Sequence, residues 1–589
     1  MAEETYDFKI ESLSFRCNDQ KDNSSFMPAA LNVFIGPNNS GKSTALREIR
    51  DAILGEPSNS MYPSRQKIVI DDITLNVPHT LNEALSGKEP EEIAYVNQGS
   101  VWPRHYCSTG LRIDPQGFIL RSANPNICFS SHDWKSQLND CLQDASTHSP
   151  SSNESARRAL SLLGPMYVNF SAPDDRLLLS VGEQNCGISS QANNTLSQLL
   201  RSDPSLERVS ELTKRTFGKD VILDAMTAPP IIKIKVGENF DAYRSSTRSS
   251  THELKTLESA RSLEQEGDGL RSFTTVLLSL KANMKPVLLL DEPESFLHPP
   301  QARELGKIIA DDAKSNPNKQ IFVATHSQAL LQGLIDRCDS NTSIIRLDRG
   351  AESASAQVIP PDKLRDFTHQ SFYTPALLDG LFSKKPIITE SPTDAMIFER
   401  ICQILGIDHE IQFVPVNGKH AIAKTARFYK AVGITIKAIA DFDLVNDRER
   451  LSDVAHALSD EDLTKTSKEI ALELHNAASS YANATFSSDD PKKVKDLEKE
   501  QFKQLQNSKA FSKELLTSVG NVIAECFSKN LLILRDGELE ASLEPNVEYS
   551  HTKAWPGKAM EYLSGCTSAK LLADHAIARD LKAFLANDE

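Results

Sequence analysis

The feature that most constrains the fold of this chain is a glycine-rich loop between an apolar strand and a helical segment. Residues 31–35 read LNVFI, the pattern of a buried strand, residues 36–44 read GPNNSGKST, and residues 45–49 read ALREI. The spacing G-x-x-x-x-G-K-S, in the order strand, loop and helix, is typical of a phosphate-binding loop. Its glycines let backbone N–H groups face phosphate oxygens, and the following helix adds the positive end of its dipole. We therefore predict an α/β fold that binds a nucleotide at the end of this strand.

Two side chains of this loop have defined expected roles. Lys42 is placed to reach the β- and γ-phosphates, and Ser43 is placed to hold Mg²⁺. The expected cofactor at this site is therefore ATP with Mg²⁺. The candidate nucleotide-binding residues of the loop are Gly36, Asn38, Asn39, Gly41, Lys42, Ser43 and Thr44.

Two further strand ends supply the polar residues that such a site needs. Residues 286–290 read PVLLL and end in Asp291 and Glu292, which suit Mg²⁺ coordination and polarisation of the attacking water, respectively. Residues 320–324 read QIFVA and lead to His326, which can contact the γ-phosphate. An acidic pair after a strand is often only a helix cap, and a lone histidine is often structural. Their occurrence together and in this order favours an ATPase.

Length and composition limit the class of protein. At 589 residues the chain is too long for one ordinary core, and 39% hydrophobic with 25% charged residues is typical of a soluble globular protein. No apolar run approaches the roughly 18 residues of a membrane span, and the acidic N-terminus does not have the pattern of a secretory signal. Nine scattered cysteines without a CxxC pair favour reduced thiols, so we expect a cytoplasmic protein without a membrane partner. The net charge of −15 argues against a surface that is basic throughout, but it does not exclude nucleic acid, which can bind to local basic patches.

A second acidic pattern begins after residue 380. Residues 386–389 read PIIT, a short strand closed by Glu390, and Asp394 lies four residues later where a helix over 395–405 is expected to begin. Residues 434–440 read ITIKAIA, a second buried strand, and end in Asp441 and Asp443, which we expect to project to one face of the strand. Carboxylates that converge from strand ends are the ligands that Mg²⁺ or Mn²⁺ prefers, although one such pair alone is more often solvated surface acid.

The first half of the chain resembles ABC-type ATPases of the SMC, RecF and OLD (overcoming lysogenisation defect) kind. In these proteins the strand bearing the acidic pair is commonly followed by Glu-Pro-Glu and Leu-His-Pro, as at 292–299 here. The resemblance places the start of the family's signature helix at residues 266–273, with Gly267 and Gly269 as its nucleotide-contacting positions. In this class the signature loop of one subunit completes the ATP site of another, so a homodimer or higher homo-oligomer of ATPase heads is implied.

The second half resembles the Toprim domain of topoisomerases, primases and OLD nucleases, with Ser391 where that family usually has glycine. The resemblance implies that Glu390, Asp394, Asp441 and Asp443 bind metal. It also implies that Glu540 and Glu538 are further metal ligands after a late strand at 531–534. A lysine that assists catalysis is expected downstream, where Lys558 is the first choice and Lys553 the second.

The predicted fold class is α/β, with an ABC-type P-loop ATPase head that carries a large insertion, followed by a C-terminal Toprim (Rossmann-like) domain with a helical insertion. We expect the N-terminal part of the head at 1–60, the insertion and dimerisation region at 61–260, and the C-terminal part of the head at 261–375. The Toprim domain is expected at 380–589, with its helical insertion at about 447–528. Lysines from Lys492 to Lys499 in that insertion could touch DNA, although charged helices are usually only solvated.

The resemblance to OLD-family proteins, which spans nearly the whole chain, implies an ATPase that controls a Mg²⁺-dependent DNA endonuclease in anti-phage defence. The family acts alone or beside partners such as a helicase-like protein or a retron reverse transcriptase with its msDNA. Two alternatives share these motifs. One is a non-nucleolytic DNA-repair ATPase of the RecF or SMC kind, and the other is a nuclease toxin that acts on RNA or tRNA.

Overall fold

We analysed a computed structural model of the chain. It describes residues 8–16, 25–55, 69–80, 83, 110–114, 117–121, 134–147, 153–164, 167–184, 196, 199–200, 203–227, 231–241, 244, 251–281, 285–349, 354–370, 373–408, 410–486 and 491–586. Much of the predicted insertion at 61–260 therefore lies outside the described residues. The chain divides into two compact units, Met1–Arg365 and Asp366–Glu589.

The first unit is built around a six-stranded sheet in the order β15-β14-β3-β13-β12-β7. All neighbours in it are parallel except β14 and β15. The strand residues Leu31–Ile35 and Val287–Asp291 are buried at every position, as expected for parallel strands covered on both faces. The strands of the first unit are β1 Lys9–Phe15, β2 Ser25–Phe26, β3 Leu31–Ile35, β4 Ile70–Asn76, β5 Gly110–Asp114, β6 Gly117–Arg121, β7 Val168–Ser171, β8 Glu183–Gln184, β9 Asp220–Asp224, β10 Ile231–Gly237, β11 Arg261–Ser262, β12 Val287–Asp291, β13 Gln320–Ala324, β14 Thr342–Arg349 and β15 Ala354–Ile359.

The other strands of this unit form antiparallel sheets. Strands β2, β1 and β4 pair in that order, β10 pairs with β8, β9 and β11, and β5 with β6 forms a hairpin. The helices of the first unit are α1 Lys42–Ile53, α2 Trp134–Thr147, α3 Glu154–Leu163, α4 Pro173–Leu179, α5 Asp203–Phe217, α6 Thr251–Ser259, α7 Asp268–Lys281, α8 Pro299–Ser315, α9 Gln328–Arg337 and α10 Pro361–Thr368, whose last residues belong to the second unit.

Helix α1 shows why the nucleotide loop has its place in the first unit. Its apolar residues Ala45, Leu46, Ile49 and Ile53 recur at helical spacing and are fully buried in the core with Phe34 and Phe322. The helix is therefore fixed against the sheet, and its N-terminus begins directly after the carboxyl end of β3.

The second unit has a four-stranded parallel sheet in the order β17-β16-β18-β19. Its strands are β16 Lys385–Thr389, β17 Ile411–Pro415, β18 Lys437–Ala440 and β19 Leu531–Ile533. Its helices are α11 Ala376–Asp379, α12 Pro392–Leu405, α13 Ile422–Ala431, α14 Arg448–Ser459, α15 Lys465–Thr485, α16 Pro491–Lys503, α17 Lys513–Ser528, α18 Leu539–Ser542, α19 Trp555–Ser564, α20 Ser568–Asp574 and α21 Ala576–Ala586. Between β18 and β19 the chain forms the helices α14 to α17, and the core packs Phe398, Trp555 and Phe584 against Ile387 and Leu532.

Candidate functional site

The glycine-rich loop holds its lysine with its own backbone. Lys42 is 7% exposed, and its Nζ donates to the carbonyl oxygens of Pro37 at 2.7 Å and Gly36 at 2.9 Å. Burial lowers the pKa of Lys42, and the nearby carboxylate of Glu292 opposes that shift. The ammonium therefore already lies inside the loop, where phosphate oxygens would replace carbonyls as its acceptors.

The backbone of this loop adopts conformations that the sequence motif anticipates. Gly36 has φ +140°, and a Cβ there would lie 2.0 Å from the carbonyl oxygen of Leu347, so a larger residue cannot fit. Gly41 (φ +95°) and Asn39 (φ 63°) also lie in the left-handed region. The side chains of Asn38 and Asn39 are exposed, and Thr44 lies in the first turn of α1.

The two predicted Mg²⁺ ligands of the ATPase site are in direct contact. The hydroxyl of Ser43 donates to Asp291 Oδ1 at 2.7 Å. Asp291 is 3% exposed at the end of β12, and burial raises the pKa of its carboxyl group. A hydroxyl beside a buried carboxylate at the foot of the phosphate loop is the donor set that Mg²⁺ takes in P-loop proteins.

Glu292 and His326 face each other across adjacent strand ends. His326 Nδ1 lies 3.1 Å from Glu292 Oε1 and 3.9 Å from Glu294 Oε1. Glu294 is 6% exposed, accepts a hydrogen bond from the Thr325 hydroxyl at 2.5 Å, and has its pKa raised by burial. Glu292 itself has φ 46°, a conformation rare for glutamate. These contacts fix both side chains beside Asp291.

A buried arginine that sequence reasoning missed holds this strand end. Arg176 on α4 is 2% exposed, and its guanidinium donates to the carbonyl oxygens of Glu292 at 2.7 Å and Asp291 at 2.9 Å. It also donates to the Ser272 hydroxyl on α7 at 3.2 Å and to the Ser171 carbonyl at 3.1 Å. Burial lowers the pKa of Arg176 to about 10. The position lies 115 residues before Asp291, so no local spacing indicates it.

The predicted signature glycines lie at the start of α7. A Cβ on Gly269 would lie 2.8 Å from the carbonyl oxygen of Phe296, whereas one on Gly267 would meet nothing within 4 Å. Within the described residues, no hydrogen bond joins either glycine to residues 36–44. Their predicted contact with a nucleotide stays a prediction.

In the second unit, six acidic residues gather where the parallel strands end. Glu390 follows β16, and its Oε1 accepts a hydrogen bond from the backbone N–H of Asp441, which follows β18, at 3.1 Å. Asp394 lies in the first turn of α12. After β19, Glu538 lies directly before α18 and Glu540 lies in the first turn of that helix, and their charges act on Asp394. The six residues are Glu390, Asp394, Asp441, Asp443, Glu538 and Glu540, which we call the carboxylate cluster.

The structure corrects the expected placement of Asp443. Strand β18 begins at Lys437 rather than Ile434 and ends at Ala440, so neither aspartate lies on the strand. Asp443 lies in a 3₁₀ helix over Phe442–Asn446, for which Asp441 is the residue before the first turn. The strand ends at Ala440 as expected, but the chain then turns at once and Phe442 is fully buried. The turn, rather than strand alternation, places the two carboxylates.

Ser391 has a structural role at the position where glycine was expected. Its hydroxyl accepts a hydrogen bond from Asp394 N at 3.2 Å, and its own N–H donates to Asp394 Oδ2 at 2.9 Å. This reciprocal capping box satisfies two N–H groups at the start of α12. Asp394 therefore keeps one oxygen for the helix and has the other available for a ligand.

Burial and repulsion between neighbouring carboxylates raise the pKa values of four members of the carboxylate cluster. Burial, followed by the charge of Asp443, raises the pKa of Glu390 to about 7. Burial raises the pKa of Asp394 to about 6, against its hydrogen bonds with Ser391. Burial and the charge of Glu390 raise the pKa of Asp441 well above its usual range, and burial raises that of Glu538. The charged forms are therefore unfavourable without a cation among them.

Four neighbours of the carboxylate cluster were not predicted. Lys419 Nζ lies 2.7 Å from Asp443 Oδ2, and Lys503 Nζ lies 3.7 Å from Glu538 Oε1. His551 Nε2 lies 3.4 Å from Glu538 Oε2 and 2.7 Å from the hydroxyl of Tyr549. Lys419 begins a 3₁₀ helix, Lys503 ends α16, and the other two residues lie between α18 and α19, so no local spacing indicates these contacts.

The two lysines predicted downstream do not touch the cluster. Lys553 and Lys558 are exposed, Lys558 on α19, and neither side chain makes a hydrogen bond or ion pair with any described residue. Their predicted catalytic role stays a prediction.

The donor set of the cluster fits a divalent cation. Ligand atoms of Glu538, Glu540 and His551 all lie within 4.8 Å of one another. The other four members of the carboxylate cluster, Glu390, Asp394, Asp441 and Asp443, bring further carboxylate oxygens to this edge of the sheet. Oxygen-rich donor sets suit Mg²⁺ and Mn²⁺.

Models of protein families match one part of each unit. Residues 192–332 match the family described as "AAA domain, putative AbiEii toxin, Type IV TA system". Residues 381–443 match "Overcoming lysogenization defect protein-like, TOPRIM domain". The chain carries an ATPase domain and an OLD-like Toprim domain. The predicted fold class is thereby confirmed. The Toprim match includes Glu390, Asp394, Asp441 and Asp443 but ends before Glu538, whose place in the cluster rests on geometry.

Among curated proteins, the chain is similar to the Old nuclease of Escherichia phage P2, at 24% identity over 215 residues. The match covers 32% of this chain and 34% of the relative, so the chain spans about a third of that protein's length.

Among solved structures, the chain is similar to an SMC head domain from Thermotoga maritima, with 13% identity, 60% of this chain and 98% of the other covered, and a TM-score of 0.28. It is also similar to an Smc head domain with an extended coiled coil derived from Pyrococcus furiosus, with 12% identity, coverage of 61% and 98%, and a TM-score of 0.30. Across the described part of the chain, no helix has the length and apolar character of a membrane span.

Proposed function

We propose that this chain is an ATPase and metal-dependent nuclease of the OLD family that cleaves DNA by phosphodiester hydrolysis. The observation that carries the proposal is the carboxylate cluster, in which acidic groups from separate elements lie close enough to raise one another's pKa values. Such repulsion is costly in a folded protein unless cations bind there. The match to a Toprim domain and the similarity to a nuclease support the same reading.

Bound divalent cations would activate water and neutralise charge on the scissile phosphate. The chain's own contribution is to hold the donors in place. Glu390 is fixed by the Asp441 N–H, and Asp394 is fixed by the capping box of α12. Lys419 and Lys503 balance charge at two members of the cluster, Asp443 and Glu538. On metal loading both ammonium groups would become available to phosphate oxygens.

In the ATPase unit, Lys42 would bind the phosphates, and Ser43 with Asp291 would hold Mg²⁺. Glu292 would orient the attacking water, and His326 would contact the γ-phosphate. The support for these roles is that Ser43 and Asp291 are in contact, and that His326 and Glu292 lie 3.1 Å apart. The proposal includes control of the nuclease by ATP, dimerisation through the ATPase heads, a cytoplasmic location and a role in anti-phage defence beside a partner protein.

The direct test is incubation of the purified protein with plasmid and with a structured RNA, in Mg²⁺ or Mn²⁺ and in EDTA, each with and without ATP. We expect plasmid cleavage that requires the metal. Intact plasmid under every metal and nucleotide condition would favour the DNA-repair alternative, and cleavage of RNA alone would favour the toxin alternative.

A further inference from the structure

One helix of the segment between β18 and β19 is joined directly to the carboxylate cluster. The backbone N–H of Glu538 donates to the carbonyl oxygen of Lys503, the last residue of α16, at 2.8 Å. Leu505 N donates to the Asp536 carbonyl at 3.1 Å, and Gln504 and Gly537 form an antiparallel bridge between these contacts. The end of α16 is therefore attached by backbone hydrogen bonds to the loop that bears Glu538.

The backbone of Gly537 lies so close to the end of α16 that the two segments have little room to move relative to each other. Gly537 has φ +122°, and a Cβ there would lie 2.0 Å from the Lys503 carbonyl oxygen. The Gly537 carbonyl also accepts a hydrogen bond, at 2.8 Å, from the backbone N–H of Phe442, the residue between Asp441 and Asp443. Phe442 also stacks on the buried Phe502 of α16, with ring centroids 6.1 Å apart. The direction of α16 is thus fixed relative to the metal-binding carboxylates.

Four lysines of α16 lie on one flank of this helix. At 3.6 residues per turn, Lys492, Lys495, Lys499 and Lys503 fall within roughly 80° of its circumference and extend over about 16 Å. We call them the α16 lysine stripe. The side chains of Lys492, Lys495 and Lys499 are exposed and make no ion pair with any described residue. Lys503 lies at the end of the stripe, with Nζ 3.7 Å from Glu538 Oε1.

The positive charges of this stripe are not fully neutralised by the acidic residues next to it on α16. Lysines four residues apart, as in Lys495–Lys499 and Lys499–Lys503, repel by about 0.2–0.5 kcal/mol per pair. In the neighbouring helix α15, by contrast, Lys465 is paired four residues on with Glu469 at 3.7 Å. Asp496 and Glu500 lie beside the stripe and leave a net charge of about +2 on this flank. In a chain of net charge −15, a concentrated cationic surface that leads to an acidic site fits an anionic polymer.

We propose that the α16 lysine stripe binds the phosphodiester backbone of nucleic acid and directs it into the carboxylate cluster, with Lys503 beside the phosphate nearest the metal. This inference rests on the proposed nuclease function. A length of about 16 Å covers about five phosphates of one strand at 3.4 Å each. Lysine contacts to phosphates carry no base information, so this stripe contributes affinity and position without sequence preference.

The test measures binding of a fluorescent DNA duplex and of a single strand of equal length by anisotropy, between roughly 50 and 200 mM salt. The protein carries Asp441→Asn so that the DNA stays intact. The stripe variant replaces Lys492, Lys495 and Lys499 by Gln. The control variant replaces Lys509, Lys513 and Lys582, exposed lysines outside α16, by Gln and so removes the same charge.

For the stripe variant we expect at least about a tenfold weaker affinity, and a slope of log K against log salt smaller by about 0.9 per lost contact on duplex or about 0.7 on single strand. The form that occupies the stripe, duplex or single strand, is the one whose slope changes in the stripe variant. The control variant should stay within about twofold of its parent. Equal slopes for the stripe and control variants would overturn the inference.

Cleavage by the chain with Asp441 intact is measured separately. If the chain cleaves DNA but the stripe and control variants have equal salt slopes, only the role of the stripe is refuted. If the salt slope of the stripe variant is reduced but the chain cleaves no DNA, only the nuclease function is refuted.

Discussion

At the scale of single residues, the guanidinium of Arg176 holds the strand end of the ATPase site through the carbonyl oxygens of Asp291 and Glu292. Lys42, Ser43 and Asp291 belong to motifs in which a strand, a turn and a helix follow one another, so spacing alone indicates their positions. Arg176 and Lys419 could not be predicted, because each acts on a residue that only the tertiary fold brings near. For Asp443 the residue was indicated, but the strand assigned to it was wrong, since the 3₁₀ turn after Ala440 depends on burial of Phe442.

Arg176 provides a prediction at this scale. Arg176→Lys keeps the buried charge but loses the planar fork that reaches both the Asp291 and Glu292 carbonyls. Each unsatisfied buried acceptor costs about 1–3 kcal/mol, so Glu292 should lose its fixed position. We expect ATP hydrolysis to fall roughly 10- to 100-fold, with ATP affinity little changed, in steady-state and equilibrium-binding assays. Arg303→Lys, an exposed arginine paired with Asp336, is the control. Equal losses in both variants would contradict the role given to Arg176.

At the scale of elements, the order of strands and helices near each site followed from the sequence, whereas the attachment of α16 to the loop after β19 did not. The helical character of residues 447–528 is visible in their spacing of apolar residues. No pattern of side chains indicates the backbone hydrogen bond between Glu538 and Lys503, because such a bond depends on no particular side chain. Gly537 was the available signal, since an isolated glycine after a strand often marks close backbone approach.

Gly537→Ala tests this attachment. The added Cβ would meet the Lys503 carbonyl oxygen at 2.0 Å, and φ +122° is strained for alanine. We expect a loss of about 2–4 kcal/mol in the free energy of unfolding of the second unit, by denaturant titration, together with loss of DNA cleavage. ATP binding should remain. The matched control is Gly520→Ala in α17, where a Cβ meets nothing within 4 Å and helix propensity predicts a gain of about 0.5–1 kcal/mol. A stable, fully active Gly537→Ala protein would contradict the attachment.

At the scale of the whole molecule, the carboxylate cluster makes stability depend on pH and on metal. Glu390 and Asp394 have folded-state pKa values of about 7 and about 6, above those of an unfolded chain. The folded state therefore holds more protons than the unfolded state between about pH 4 and pH 7, so the cluster's contribution to stability falls as pH rises through this range.

We expect Mg²⁺ or Mn²⁺ to raise the Tm more at pH 8 than at pH 5, because the cation competes with protons for the same oxygens. Other groups titrate in this range as well, including Glu183, whose pKa burial raises to about 7. The measurement is therefore the difference between wild type and Glu390→Gln in scanning fluorimetry, with EDTA and with metal. A metal-induced Tm shift that is the same at both pH values, or the same in Glu390→Gln, would contradict the account.

The most direct test of the central claim is plasmid cleavage by Asp441→Asn. Burial and the charges of Glu390 and Asp394 disfavour the charged form of Asp441, so the amide should leave the metal-free protein at least as stable as wild type. The account predicts that cleavage falls by at least about a thousandfold, roughly 4 kcal/mol of transition-state stabilisation, while ATP binding and Tm in EDTA are retained. Asp453→Asn, an exposed aspartate paired with Arg427, should cut normally. Cleavage by Asp441→Asn at the wild-type rate would contradict the claim that the carboxylate cluster is the nuclease site.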